Sequence, residues 1–240
     1  LIFLVSIVHL YCFLMQENHR MLVHELINTS LPQLQLGDSI ATALQLMSDF
    51  KLSHLPIVSE DQYLGLLSED DLLNVENEQD NIENFKEDFM QVSVISGNHF
   101  LSAVNIANRY QTNIVPVISE SREYLGSISG NELLSVLGNF SGANESGAVV
   151  ILEIQANKFS ISEISRIVES DGASIVHLNI TSRPDSSLLH VTLHLNKRGI
   201  SILLAAFERY DYSVYYYSGE ELFASEINSN YKNLMNFLDI

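Results

Sequence analysis

Lysine and arginine are scarce in this sequence. There are 12 of them against 30 aspartates and glutamates, a net charge of −18 over 240 residues. Binding a nucleic-acid duplex or an anionic membrane surface relies on clustered Lys and Arg, and no such cluster occurs. Nucleic acid is therefore excluded as an expected partner, and any anionic ligand must be held by local dipoles and hydroxyls. Cysteine is nearly absent as well. Cys12 stands alone, which rules out an internal disulfide and a cysteine-based zinc site and fits a reducing, cytoplasmic compartment. No P-loop, Gly-x-Ser-x-Gly elbow or His-Glu-x-x-His is present, so the sequence is not expected to be an enzyme. His190 and His194 are the closest regular histidine pair, but they fall in a strand-like stretch, where four residues span ~13 Å. They are expected to be half-exposed strand residues, and no metal is expected. The apolar run LIFLVSIVHLYCFLM covers only residues 1–15, short of the ~20 residues a spanning helix needs, and it lacks the marks of a signal peptide. The favoured reading is a misplaced start, with the first domain opening near Met21; a membrane anchor is the other option, and no membrane partner is expected without it.

Apolar residues are plentiful, at 46%, and they are ordered by a repeat. Residues 34–60, LQLGDSIATALQLMSDFKLSHLPIVSE, lie over residues 94–120, VISGNHFLSAVNIANRYQTNIVPVISE. Gly37 meets Gly97, Ala43 meets Ala103, and Pro56 meets Pro116. After one extra residue at a polar turn, Tyr63-Leu64-Gly65 meets Tyr124-Leu125-Gly126, and Leu72-Leu73 meets Leu133-Leu134. Each copy reads as a helix capped by Asp38 or Asn98, a short apolar strand, a turn, a second strand, and a helix starting at Ser68 or Ser129. One copy has too little apolar surface to fold alone, and two would share a core.

These residues resemble the CBS domain family, named after cystathionine β-synthase. The resemblance rests on LSHLPIVSEDQYLGLLSEDDLL at 52–73 and TNIVPVISESREYLGSISGNELL at 112–134, within residues 22–137. It implies a disc-shaped regulatory pair with two clefts, commonly a homodimer, and as ligand an adenosine-type nucleotide: AMP, ADP, ATP or S-adenosylmethionine. The resemblance places Ser68 and Asp71 at the phosphate and ribose positions of the first cleft, with His54 where the family often has a phosphate-facing side chain. A helix N-terminus suits phosphate, and a carboxylate can accept both hydrogen bonds of a ribose diol. In the second cleft the matching residues are Ser129 and Glu132, with Ile114 in place of His54. The same serines are also ordinary N-caps, and Glu69 and Asp70 would oppose a phosphate. A ligand-free interaction or dimerisation scaffold therefore stands as the alternative.

The last third begins with GNFSGANESG, which reads as a linker. Strands at 149–154, 174–180, 188–195 and 212–217 then alternate with helices at about 160–171 and 198–209 in a ferredoxin-like order. This stretch resembles an ACT domain, a small module that senses amino acids. The family's ligand loop usually has Gly before the first helix, and Phe159 stands there instead, so a ring is expected to fill that pocket and the domain to dimerise or relay a signal. The run Tyr215-Tyr216-Tyr217 is expected to pack a sheet. The acidic stretch ENEQDNIEN at 76–84 is expected to be solvated.

The fold class expected is α+β: a CBS pair of two βαββα-type repeats and a C-terminal βαββαβ domain. The boundaries are 1–20 for the extension, 21–80 and 81–137 for the repeats, 138–147 for the linker, 148–218 for the ACT-like domain, and 219–240 for a C-terminal amphipathic helix.

Overall fold

The computed structural model describes residues 21–219 apart from 74, 76 and 183–185. The N-terminal extension and the C-terminal helix expected from sequence lie outside the described residues. Two compact units result, residues 1–137 and 138–240.

In the first unit, the opening repeat runs α1 (Ile40–Phe50), β1 (His54–Ser59), β2 (Gln62–Ser68) and α2 (Glu69–Leu72). The following repeat runs β3 (Val94–Ile95), α3 (Phe100–Tyr110), β4 (Ile114–Ile118), β5 (Tyr124–Ser129) and α4 (Gly130–Phe140). The apolar spacing of α1 buries Ile40, Ala43 and Met47. They meet Leu55, Ile57, Leu66, Leu67 and, from the second repeat, Ile114. Each such side chain contributes about 1.5–3 kcal/mol when fully buried, so the core joins both repeats. The helix starts differ from expectation by one residue. Ser39 caps α1, its Oγ accepting from the Thr42 N–H at 3.2 Å, while Asp38 accepts from the Gln35 N–H instead. His99, not Asn98, caps α3 through Nδ1. The acidic stretch is not wholly solvated. Ile82 is fully buried, and the carbonyls of Asp80 and Glu78 accept from the N–H groups of Ile40 and Ala41. A helix start needs such acceptors, which is why this polar segment docks.

The two repeats meet in a near-reciprocal pattern. The Tyr63 N–H donates to the Arg122 carbonyl, and the matching Tyr124 N–H donates to the Asp61 carbonyl. The Tyr63 and Tyr124 rings stack at 6.4 Å, and burial pushes both phenols above their ordinary range. Each repeat's leader also crosses to the other's hairpin. Asn28 bridges to Ser127 on β5, and Met90 bridges to Leu66 on β2. The crossing is close enough that a Cβ on Gly126, φ +134°, would lie 2.5 Å from the Ile27 Cγ2, and one on Gly65 would lie 2.7 Å from the Phe89 Cβ.

The second unit carries β6 (Ala148–Gln155), α5 (Ile161–Ser170), β7 (Ile175–Ser182), β8 (Leu188–Leu195), α6 (Ser201–Arg209) and β9 (Ser213–Ser218). The antiparallel sheet has the order β7-β8-β6-β9, the ferredoxin-like arrangement. Alternate residues of β6 and β8 pack on Ile164, Val168, Leu203 and Phe207 of the helices. Gly172, φ +70°, turns the chain after α5, its N–H bonding the Glu169 carbonyl. The stretch read as linker begins inside α4, whose last residues are Gly138–Phe140. α6 starts at Ser201 rather than 198, and before it Lys197 pairs with Asp171, Nζ to Oδ2 at 2.7 Å.

Two further expectations are corrected here. His190 and His194 do lie on a strand, but only His190 is half-buried; His194 is buried, because Gly142 and Gly147 approach its ring. Tyr215, Tyr216 and Tyr217 are not buried by the sheet. All three are exposed, since β9 is an edge strand and a bulge opposite Ile151–Leu152 breaks its alternation. Tyr215 stacks on His190 at 4.7 Å instead.

Candidate functional site

The residues singled out by sequence sit at the heads of α2 and α4. Ser68 caps α2, its Oγ accepting from the Asp71 N–H at 3.3 Å. Ser129 does the same for Glu132 at 3.1 Å. The repeat is thus kept at the level of single hydrogen bonds: the Glu69 N–H donates to the Ser53 carbonyl, and the matching Gly130 N–H to the Asn113 carbonyl.

The two heads differ in what they offer a ligand. α2 has only four residues, three of them Glu69, Asp70 and Asp71. So short a helix sums few peptide dipoles, and its acids repel phosphate. Asp71 is exposed and suits hydroxyl donors. Beside it, His54 is 8% exposed. Burial holds its imidazole below the ordinary value, against the pull of Asp71 and Asp70 that favours the cation. α4 has eleven residues with one acid, Glu132, in its first turn. A cavity of about 290 Å³ opens there, lined by Ser129, Glu132 and the leader Leu26–Thr29. Sequence reasoning missed the leader's part, because LINT carries no motif; only the crossing of the segments brings it to the α4 head.

The low value of His54 has a consequence for stability. The unfolded chain binds more protons than the folded one as pH falls below about 6.5, so acidification weakens the fold through the window down to the depressed folded value. Above that window His54 contributes no pH dependence. His54→Ile, which copies Ile114 of the second repeat, is expected to remove this part of the acid sensitivity, as read from urea midpoints at about pH 7.5 and about pH 5.5. Equal acid sensitivity in variant and wild type would contradict it.

In the second unit Phe159 stands just before the first helix, as read from sequence. It packs on the core, and a cavity of about 490 Å³ remains nearby, lined among others by Glu153, Lys158, Glu163, Tyr210 and Tyr212. Phe159 precedes a helix start at Ser160 with extended backbone, φ −67°, so no glycine is needed to make this turn. Among the described residues no cluster of His, Cys, Asp or Glu could hold a metal, and no helix is long and apolar enough to cross a membrane.

Residues 23–78 match the family model of the CBS domain. The second repeat carries the same motif order and matching hydrogen bonds at its helix head. Solved structures to which the chain is similar include a CBS domain pair/ACT domain protein from Thermotoga maritima, at 18% identity and TM-score 0.45, covering 49% of this chain and 96% of that one. Another is CBSX2 in complex with AMP, at 15% identity and TM-score 0.42, covering 50% and 98%. A third is the cytosolic domain of the Mg2+ channel MgtE in complex with ATP, at 16% identity and TM-score 0.41, covering 49% of each. No curated protein matches the chain.

Proposed function

We propose that this chain is a regulatory sensor whose CBS pair takes an adenosine-type nucleotide in a cleft between the repeats, with the ACT-like unit serving dimerisation or signal relay. The observation that carries this reading is the cavity at α4. Its volume of about 290 Å³ lies at the lower end of the range for small-molecule sites. It is lined by Ser129, Glu132 and the leader residues Leu26–Thr29, a mix of polar and apolar residue types that suits a ribose and a base. Because the leader belongs to one repeat and Ser129 and Glu132 to the other, a ligand there would tie the repeats together, which is what a sensor requires. Catalysis has no part in this reading.

A thermal-shift screen of the full chain tests it, with adenosine, AMP, ADP, ATP and S-adenosylmethionine as probes. A bound ligand at a hundredfold excess over Kd stabilises by about 2.7 kcal/mol. The expected result is a rise in melting temperature that Glu132→Ala or Asp71→Ala removes, according to the cleft used. A flat screen of folded protein would favour the ligand-free scaffold instead.

A further inference from the structure

His54 has a constraint on its proton that its burial alone does not impose. Its Nδ1 lies 2.8 Å from the Ser53 Oγ. That hydroxyl reaches the Oδ1 of Asn113, in the other repeat, at 3.1 Å. The Asn113 amide is oriented, because its Nδ2 donates to the Lys51 carbonyl at 2.8 Å and its Oδ1 also accepts from the Ser53 N–H at 3.0 Å. Ser53 has one hydroxyl proton. It can donate to Asn113 and still bond to His54 only if the Nδ1 of His54 carries the ring proton. Nε2 is then a bare acceptor. It makes no hydrogen bond, yet no fully buried side-chain nitrogen or oxygen among the described residues lacks a partner; Nε2 therefore keeps access to the outside. The residue itself is more than nine-tenths buried, and the carboxylates that act on it are Asp71 and Asp70 of α2. From the second repeat the group bonded to this relay is the uncharged Asn113, and Lys51 contributes its carbonyl.

We propose that His54 is a specificity-determining residue of the first cleft: its Nε2 is a fixed acceptor that recognises an amino or hydroxyl donor of an uncharged nucleoside and disfavours a phosphate. This rests on the reading that the clefts take an adenosine-type ligand. A neutral imidazole with Nδ1–H has no donor left for an anion, and Glu69, Asp70 and Asp71 add repulsion. Protonation of Nε2 replaces the acceptor by a donor, so binding of an uncharged nucleoside weakens as pH falls, whereas binding of a phosphate would tighten.

Two measurements test this separately. The ring-nitrogen NMR spectrum of the ligand-free chain reports the tautomer, with His54→Ile identifying the resonances; Ile114 at the matching position, fully buried, shows that the repeat accommodates this side chain. The expected spectrum has a protonated Nδ1 and a bare Nε2, and Asn113→Ser is expected to release that preference. A protonated Nε2 near neutral pH would overturn the proposal. Titration with adenosine and AMP then reads the ligand class. Adenosine is expected to bind about tenfold more weakly to the protonated form and to His54→Ile, an effect of one lost hydrogen bond. AMP binding that tightens on acidification while adenosine is unaffected would make His54 a phosphate ligand and also overturn it. If neither compound binds while the tautomer is as expected, the adenosine reading fails and the acceptor assignment stands.

Discussion

Gly126→Val is expected to cost about 2–6 kcal/mol of stability, the sum of about 1–3 for a side chain at an unfavourable φ and about 1–3 for overpacking. Gly126 has φ +134°, and a Cβ there would lie 2.5 Å from the Ile27 Cγ2 and 3.5 Å from the Asn28 carbonyl. The leader cannot step back freely, because Asn28 is hydrogen-bonded to Ser127 in both directions. Against a typical total of about 5–15 kcal/mol, such a loss moves the urea midpoint far enough to be read directly. Two controls separate crowding from general damage. A Cβ on Gly37 meets nothing within 4 Å, and Gly37→Ala is expected to change stability by less than about 0.5 kcal/mol. Ile27→Ala combined with Gly126→Ala removes the clashing methyl and is expected to be milder than the sum of the two single changes. A Gly126→Val midpoint equal to wild type would mean that the leader does not hold β5. The same substitution should also close the cavity at α4, since Ile27 lines it.

Phe207→Ala is expected to cost the second unit about 3–5 kcal/mol. Phe207 is fully buried on α6, and its ring stands edge-on to Tyr212 at 6.1 Å. Tyr212 supplies a local readout. Burial, with a smaller part from the Glu163 carboxylate that accepts its hydroxyl at 2.7 Å, pushes its phenol up to about 12. Opening a cavity beside it lets water approach, so its titration should move down toward the ordinary value of about 10. A variant with unchanged melting and an unchanged Tyr212 titration would show that this part of the core does not depend on Phe207.

Much of the fold could be read in one dimension because the signals were local or periodic. Ile40, Ala43 and Met47 form one face of a helix at helical spacing, and all three are buried. β8 runs Leu188–Leu195, the bounds expected, because its alternation is regular and Asn196 and Lys197 end it. Where alternation was assumed rather than present, reading failed. Tyr215–Tyr217 has three identical residues and no in-out pattern, and whether a strand lies at an edge is a property of the sheet, not of the strand. The capping residues slipped by one for a related reason: Asp38 and Ser39 are both good caps, and only the turn around Gln35 decided which side chain was free.

For the candidate site the division is sharper. Sequence alone determined the tandem repeat, the serine heads of the two helices, the carboxylates one turn in, and the net acidic charge, since each of these is a matter of residue type and spacing. Tertiary structure alone decided that α2 stops after four residues while α4 continues, that the leader Leu26–Thr29 lines the α4 cavity, and that Ser53 and Asn113 join across the repeats to set the proton on His54. Those features depend on contacts between residues about sixty or more positions apart, and a contact at that separation is made by packing rather than by any local pattern in the chain.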